Sequence, residues 1–179
     1  MRFEPTGFSG LVLVRPERHA DERGYFTRTF CAEEFGAQGL VGLFPQQSLS
    51  FNRTRGTLRG MHFQRAPHEE TKLVRCARGA ILDAVVDLRP DQPTYLRWQG
   101  FELTAANGDA LYIPAGFAHG FQTLADDTEV AYAITPAFAP GSGSGVRYDD
   151  PAIDVRWPLR VGVISDKDRA WPLIGAERP

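Results

Sequence analysis

The sequence lacks several features that would assign it to a broad class of protein. It has only two cysteines, Cys31 and Cys76, and their spacing matches neither a CxxC pair nor a metal site, so we expect both to be reduced and structural. The formal net charge of −2 provides no basic field for nucleic acid. No apolar run approaches the roughly 20 residues that a membrane-spanning helix needs. We therefore expect neither nucleic acid nor a membrane as a partner.

Signals for export or for a second domain are also missing. The N-terminal stretch MRFEPTGFSGLVLV has no basic region followed by an apolar core and a small-residue cleavage site, which predicts a cytoplasmic protein. No low-complexity tract or internal repeat divides the chain. With 179 residues, 42% of them hydrophobic, the chain is long enough for one domain with a substantial core and short for two. We therefore expect a single domain over residues 1–179.

Glycine (18 residues) and proline (13 residues) are frequent and divide the chain into short segments. The runs KLVRCA, AILDAVVDL, LRWQGFELT and TEVAYAIT recur at a spacing of about 8–12 residues with turn signals between them. Arg78-Gly79 separates the first two runs and predicts a hairpin. This rhythm predicts an all-β jelly-roll sandwich. We expect short peripheral helices at CAEEFGAQG and near Asp166 to Arg169, and a loop-rich C-terminal cap over about residues 140–179.

One predicted strand, TLRGMHFQ, carries Arg59 and His62 among apolar residues. Taken alone, Arg59 could be solvated and His62 could be a hydrogen-bonded core histidine. In a regular strand, positions 59 and 62 face opposite ways. If both residues serve one site, Gly60 between them should allow a local bulge or twist.

Three further polar residues lie among apolar neighbours. Lys72 opens a predicted strand and could face solvent there, but an inward lysine needs a partner because burying an ammonium group is costly. His119 follows a Pro-Ala-Gly turn in IPAGFAHGF. Strand alternation places Tyr132 with Val130 and Ile134, so it should point inward, where it could be a core tyrosine with a bonded hydroxyl.

The stretch GDALYIPAGFAH resembles the second motif of the cupins, with His119 as its histidine. The first cupin motif has His-x-His followed by Glu, whereas this chain has His62-Phe63-Gln64. A metal site normally needs three or four protein ligands. His62, His119, His68 and Glu69 could in principle supply them, but their spacing does not fit, and we expect no metal and no other cofactor.

A longer set of motifs gives a closer resemblance. In order along the chain these are DERGYF, GTLRGMHFQ, KLVRCARGAILDAVVDLR, PTYLRWQGFELTA, LYIPAGFAHGF, RYDDPAIDVRWP and SDKD. The ordered set is similar to the dTDP-4-dehydrorhamnose 3,5-epimerase family and covers nearly the whole chain. The resemblance implies a metal-free, homodimeric, cupin-type jelly roll. It also implies epimerisation of a nucleoside-diphosphate 4-keto-6-deoxy sugar at C3, C5 or both.

The resemblance also implies roles for individual residues. Inversion next to a carbonyl needs a base on one face of the sugar, an acid on the other, and a cation or hydrogen-bond donor near the carbonyl oxygen. His62 would be the base and Asp168 its partner, Lys72 would stabilise the oxyanion, and Tyr132 would be the acid. The implied substrate-binding residues are Arg23 at the diphosphate, together with Phe26, Arg28, Gln47, Arg59, His119 and Phe138.

The chain departs from the family pattern at some of these positions. The family usually has an acidic residue where this chain has Arg28, and QDNHS where this chain has QSLSF, which places Leu49 and Phe51 at polar positions. A tyrosine is common where this chain has Phe138. The expected catalytic set is intact, so the departures put the exact substrate in doubt. A metal-dependent cupin oxygenase or isomerase, or a non-catalytic sugar-nucleotide-binding cupin, stays open as an alternative at this point.

Overall fold

The computed structural model describes residues 1–175, so the predicted end of the domain and of the cap at residue 179 lies outside the described residues. The regular secondary structure of the described chain is mostly strand, with two short helices. The strands are β1 (Arg2–Pro5), β2 (Val12–Arg15), β3 (Arg18–Asp21), β4 (Gly24–Thr27), β5 (Gln46–Asn52), β6 (Leu58–Gln64), β7 (Thr71–Arg78), β8 (Ala80–Asp87), β9 (Trp98–Thr104), β10 (Ala110–Ile113), β11 (Phe117–Thr123), β12 (Thr128–Thr135) and β13 (Gly143–Gly145). The helices are α1 (Ala32–Ala37) and α2 (Asp166–Arg169).

Two antiparallel sheets form a sandwich. The first has six strands in the order β1-β2-β10-β7-β12-β5, and the second has five in the order β13-β6-β11-β8-β9. Strands β3 and β4 form a separate hairpin. This arrangement confirms the predicted cupin-type jelly-roll sandwich with short peripheral helices. Among residues 1–175, no helix combines the length and apolar character needed to cross a membrane.

Alternation along the strands separates the core from the outer faces of the sheets. Val74, Leu111 and Val130 of the six-stranded sheet pack against Ile81 and Phe121 of the five-stranded sheet. Such burial of aliphatic and aromatic side chains is the main favourable term in folding. This cluster fills part of the space between the sheets, and polar inward residues line the remaining part.

Both outer faces are covered in part. Phe35 of α1, fully buried, packs on the outer face of the six-stranded sheet against Leu73 and Tyr112. The segment after β13 lays Ile153 and Trp157 on the outer face of the five-stranded sheet. The predicted helices at CAEEFGAQG and Asp166–Arg169 are confirmed.

The predicted hairpin at Arg78-Gly79 is wrong in its pairing. β7 and β8 flank this turn, but β7 belongs to the six-stranded sheet and β8 to the five-stranded sheet. Gly79 has φ +81°, and a Cβ there would contact the side chain of Thr128. The turn is therefore a corner at which the chain crosses between sheets, and only its position was predicted.

Candidate active site

A cavity of about 340 Å³ opens between the two sheets. Ser48, Ser50, Lys72 and Tyr132 line it from the six-stranded sheet, and Arg59, His62, Gln64 and His119 line it from the five-stranded sheet. Phe138, Lys167 and Trp171 complete the wall from the C-terminal part of the chain. The structure thus brings together in one cavity most of the residues singled out in the sequence.

The predicted irregularity in β6 is present and explains how Arg59 and His62 share the cavity. His119 of β11 pairs with His62, whereas Phe121, two residues later, pairs with Arg59, three residues earlier, so β6 contains one extra residue. Gly60 lies at this bulge with φ +133°, and a Cβ on it would come within 2.5 Å of the Gly120 Cα. Only glycine suits this conformation and this close approach.

His62 is paired with a carboxylate. Its Nε2 lies 2.6 Å from Oδ1 of Asp168, while Oδ2 of Asp168 accepts a hydrogen bond from the backbone N–H of Gly60 at 3.2 Å. Burial works against ionisation of Asp168, but the hydrogen bond and charge of His62 outweigh it and lower the pKa of this carboxyl. An ionised carboxylate only accepts hydrogen bonds, so Nε2 carries the proton. Nδ1 of a neutral His62 is then free to act as a base.

Lys72 points into the same cavity from β7 and is paired there. Its Nζ lies 2.7 Å from Oε1 of Glu70 and 3.4 Å from the carbonyl oxygen of His62. Its side chain is 9% exposed, so it does not lie in solvent at the strand end. The site therefore contains a buried ammonium group close to the backbone of His62.

Tyr132 faces inward from β12, as alternation predicts, and its ring centroid lies 6.3 Å from that of His119. Burial raises the pKa of the Tyr132 phenol well above its usual value, and Ser50 and Arg59 oppose this only in part. The phenol therefore holds its proton at neutral pH. His119 forms a second histidine–carboxylate pair, which is buried, with Nε2 at 2.6 Å from Oδ1 of Asp83.

Two further contacts shape the cavity. Arg59 donates from Nε to the Oδ1 atom of the buried Asn52 at 2.7 Å, which holds its guanidinium beside β5. The backbone N–H of Phe138 donates to Gln46 Oε1 at 2.9 Å. The next N–H, of Ala139, donates to Gln64 Oε1 at 3.0 Å. Glutamines from both sheets thus hold the loop that carries Phe138.

Gln47 does not line this cavity, contrary to expectation. Ser48 and Ser50 of β5 face the cavity, so alternation turns Gln47 to the outer face of the sheet. There it lines a different pocket, with Phe44 and Arg75. Leu49 and Phe51 have the same parity as Gln47, and both are exposed.

Arg23, Phe26 and Arg28 also lie away from the cavity. They belong to the β3–β4 hairpin and the residue that follows it. Arg23 pairs with Asp21, and Arg28 Nη1 lies 3.1 Å from Oε1 of Glu34. Phe26 is 73% exposed. Within one chain, the three expected nucleotide-binding residues are therefore separated from the base and the acid.

Sequence reasoning missed several residues of the cavity. Glu70 was not singled out, although it lies only two residues before Lys72. Lys167 precedes Asp168 in the SDKD motif, and its Nζ lies 5.3 Å from the ring centroid of Trp171. Trp171 in turn lies edge-on to His62. Glu70 and Lys167 could have been found in the sequence because each lies next to, or two residues from, an expected site residue.

The residues weighed as metal ligands do not converge. Nε2 of His62 and Nε2 of His119 each contact an aspartate, whereas His68 and Glu69 are exposed in the loop before β7. Within residues 1–175, no three His, Cys, Asp or Glu side chains are grouped so that they could hold a metal ion. The described donor set therefore does not fit a metal site of the cupin type.

Comparison with known proteins agrees with the motifs. The family model for dTDP-4-dehydrorhamnose 3,5-epimerase matches residues 5–175. The chain is 42% identical over 174 residues to the dTDP-4-dehydrorhamnose 3,5-epimerase of Sinorhizobium fredii, covering 96% of this chain and 89% of the relative.

Solved structures give the same result. The crystal structure of the Bacillus anthracis dTDP-4-dehydrorhamnose 3,5-epimerase with TDP and PPi bound has a TM-score of 0.94 at 38% identity, over 97% of this chain and 99% of that one. The Legionella pneumophila epimerase in complex with dTDP-4-keto-L-rhamnose has a TM-score of 0.90 at 34% identity, over 96% and 92%. The same conclusion is consistent with the ordered motifs, the jelly-roll fold and the cavity that contains the His62–Asp168 pair. These matches show that the chain belongs to the dTDP-4-dehydrorhamnose 3,5-epimerase family.

Proposed function

We propose that this enzyme inverts C3, C5 or both in a nucleoside-diphosphate 4-keto-6-deoxy sugar, with dTDP-4-dehydrorhamnose 3,5-epimerisation as the type reaction. The observation that carries the proposal is the hydrogen-bonded pair of His62 and Asp168 in one cavity with Lys72 and Tyr132. The relatives named above support the dTDP-linked sugar as substrate, since one structure holds TDP and another holds dTDP-4-keto-L-rhamnose.

The reaction starts with removal of a proton next to the C4 carbonyl. Neutral His62 takes this proton on Nδ1, and the charge of Asp168 stabilises the imidazolium that forms. The negative charge then moves to O4 of the enolate. Lys72 supplies the cation that stabilises this oxygen, and Arg59 and His119 help to hold the substrate near O4.

Inversion requires a proton on the opposite face of the enolate. Tyr132 is the proposed acid because burial keeps its phenol protonated and it comes from the other sheet. Proton removal by His62 and proton return by Tyr132 exchange one C–H bond for another and invert the carbon. His62 then releases its proton to solvent and the Tyr132 phenolate takes one up, which restores both groups. No cofactor is consumed.

The proposal is tested by incubation with dTDP-4-keto-6-deoxyglucose in D₂O. Proton NMR reads which positions incorporate deuterium and which carbons invert, and this also separates one inverted centre from two. We expect deuterium at C3, C5 or both, with product of inverted configuration. Binding without exchange would instead indicate a non-catalytic sugar-nucleotide-binding protein.

We also propose a homodimer in which the N-terminal strands contribute to the sheet or the site of the partner. Two observations support it. Arg23 and Phe26 lie on a hairpin separate from the cavity. Leu43 (74% exposed) lines the pocket that also contains Gln47, and Leu49 (59% exposed) has the same strand parity as Gln47. A cytoplasmic location stays a prediction.

Sedimentation velocity at micromolar concentration should therefore show a dimer. Burial of exposed apolar surface and coverage of the β1 edge provide the driving force. Charged substitution at the apolar face, as in Leu43→Glu with Leu49→Glu, should shift the distribution toward monomer and lower activity with it. A wild-type monomer at this concentration contradicts the proposal.

Arg28 is predicted to change nucleotide recognition. A carboxylate at this position could accept the imide N–H of thymine, whereas a guanidinium has only donors. It could donate to acceptors on cytosine or guanine, or reach a phosphate. We therefore expect thymidine to be bound weakly or through different contacts.

Calorimetric titration with dTDP, UDP, CDP and GDP measures this effect. A preference for another nucleotide that disappears in Arg28→Ala supports the prediction. Arg156→Ala, an exposed arginine near the C-terminus, is the matched control. A clear dTDP preference that is unchanged in Arg28→Ala contradicts the prediction.

A further inference from the structure

Glu70 is an acidic residue in a cavity that, on the proposed function, receives an anionic substrate. Its side chain is 10% exposed and lines the cavity with Lys72. A carboxylate there repels a diphosphate and reduces the positive field of the ammonium group. A functional role for Glu70 would have to outweigh this unfavourable effect on substrate binding.

The contacts indicate what that role is. Nζ of Lys72 has a short contact with Glu70, at 2.7 Å, and a long one with the His62 carbonyl oxygen, at 3.4 Å. A long lysine side chain has several rotatable bonds, and a buried ammonium needs an acceptor to offset its lost hydration. The short contact to Glu70 is therefore the main constraint on where the ammonium lies.

The pair is also local in the chain. Glu70 immediately precedes β7, and Lys72 is its second residue, so the two side chains emerge on the same side of the backbone. Lys72 is anchored in turn by pairing with Ile113 on β10 and Ile134 on β12. The positions of the Glu70 carboxylate and the Lys72 ammonium are thus determined by one short stretch of backbone that is hydrogen-bonded to neighbouring strands.

We propose that Glu70 is a positioning residue: its carboxylate holds the Lys72 ammonium in place to meet O4 of the substrate. The inference rests on the proposed function and extends it to a residue outside the expected set. A donor fixed before reaction stabilises the developing oxyanion without reorganisation. Glu70 fixes the Lys72 ammonium through its hydrogen bond, and its negative charge weakens the positive field of that ammonium.

Two substitutions at Glu70 separate position from charge. Glu70→Gln keeps an oxygen acceptor at the same place and removes the charge, so kcat should stay within about 3-fold of wild type. Glu70→Ala removes the acceptor, and kcat should fall about 10-fold, a part of the roughly 10²–10³-fold effect of losing an oxyanion donor altogether. KM should stay level or decrease in both variants because a repulsive carboxylate has gone. Glu69→Gln, an exposed neighbour, is the control.

The same substitutions are then made in the Lys72→Met background. If Glu70 acts through Lys72, Glu70→Ala has no further effect on kcat there. The melting temperature gives a readout independent of activity. Lys72→Met leaves the Glu70 carboxylate buried without its cation, so the double variant Lys72→Met with Glu70→Gln should melt higher than Lys72→Met alone.

Several results would overturn the proposal. The first is a wild-type kcat in Glu70→Ala, and the second is an equal loss of kcat in Glu70→Gln and Glu70→Ala. The third is a loss of kcat from Glu70→Ala that is as large in the Lys72→Met background as in the wild type. The fourth is a double variant that melts no higher than Lys72→Met alone. A wild-type protein that does not exchange or invert the sugar counts against the proposed function. An active wild type with unchanged Glu70→Ala counts against Glu70 alone.

Discussion

Replacement of His62 by asparagine is expected to lower deuterium incorporation at C3 and C5 by at least about 10²-fold, the lower range for loss of a general base. The asparagine amide reaches only the position of the Nδ1 atom, so the substitution also removes the Nε2 contact to Asp168. The amide has no nitrogen of suitable basicity to replace Nδ1. Because proton removal precedes inversion, exchange and inversion should fall together.

The measurement is deuterium incorporation by NMR under single-turnover and steady-state conditions. His68→Asn is the matched control, since His68 is an exposed histidine in the loop before β7. Its exchange rate should equal that of wild type. Near-normal exchange in His62→Asn would show that another group takes the proton, and the central assignment would be wrong.

The second large effect is expected for Tyr132→Phe. The substitution removes only the phenol oxygen, so the ring stays packed against the core and the base and the oxyanion support remain. Proton removal by His62 and return to the same face can continue, while protonation of the opposite face loses its donor. We expect net inversion to fall by about 10²-fold while exchange falls much less.

The informative quantity is therefore the ratio of exchange to inversion, read from the same NMR time course. It should rise strongly in Tyr132→Phe and stay at the wild-type value in Tyr95→Phe, an exposed tyrosine in the loop after β8. If Tyr132→Phe inverts at the wild-type rate, Tyr132 is a core residue and the acid lies elsewhere.

Much of the fold follows from patterns that are local in sequence. Alternating β-branched runs and regular turn signals predict a sandwich, and helix α1 is predicted because its residues favour a helix and a glycine follows it. The pairing across Arg78-Gly79 was missed because a turn signal shows where the chain reverses but not which sheet receives the next strand. That choice depends on contacts far apart in sequence, such as β7 with β10 and β12.

The site likewise contains features that the sequence predicts and features that it does not. The bulge at Gly60 was predictable because Arg59 and His62 can share a cavity only if alternation is broken between them. Asp83 also left a signal, since it lies in an apolar strand with the same parity as Ile81 and Val85. Trp171 left none, because it belongs to an irregular segment whose path depends on packing against the finished sandwich.

The bulge in β6 also sets a condition on chain length. The inward positions of this strand are odd-numbered before Gly60 and even-numbered after it, so the extra residue reverses the parity of the strand. A regular strand of the same length would alternate uniformly, so one of its halves would be turned over. Either Leu58 would replace Arg59 in the cavity, or Met61 would replace His62. Deletion of Gly60 would instead leave Arg59 and His62 two positions apart, on the same face of a regular strand. With three positions between them the two functional side chains share one cavity only because the strand is bulged, whereas with two positions between them no bulge would be needed.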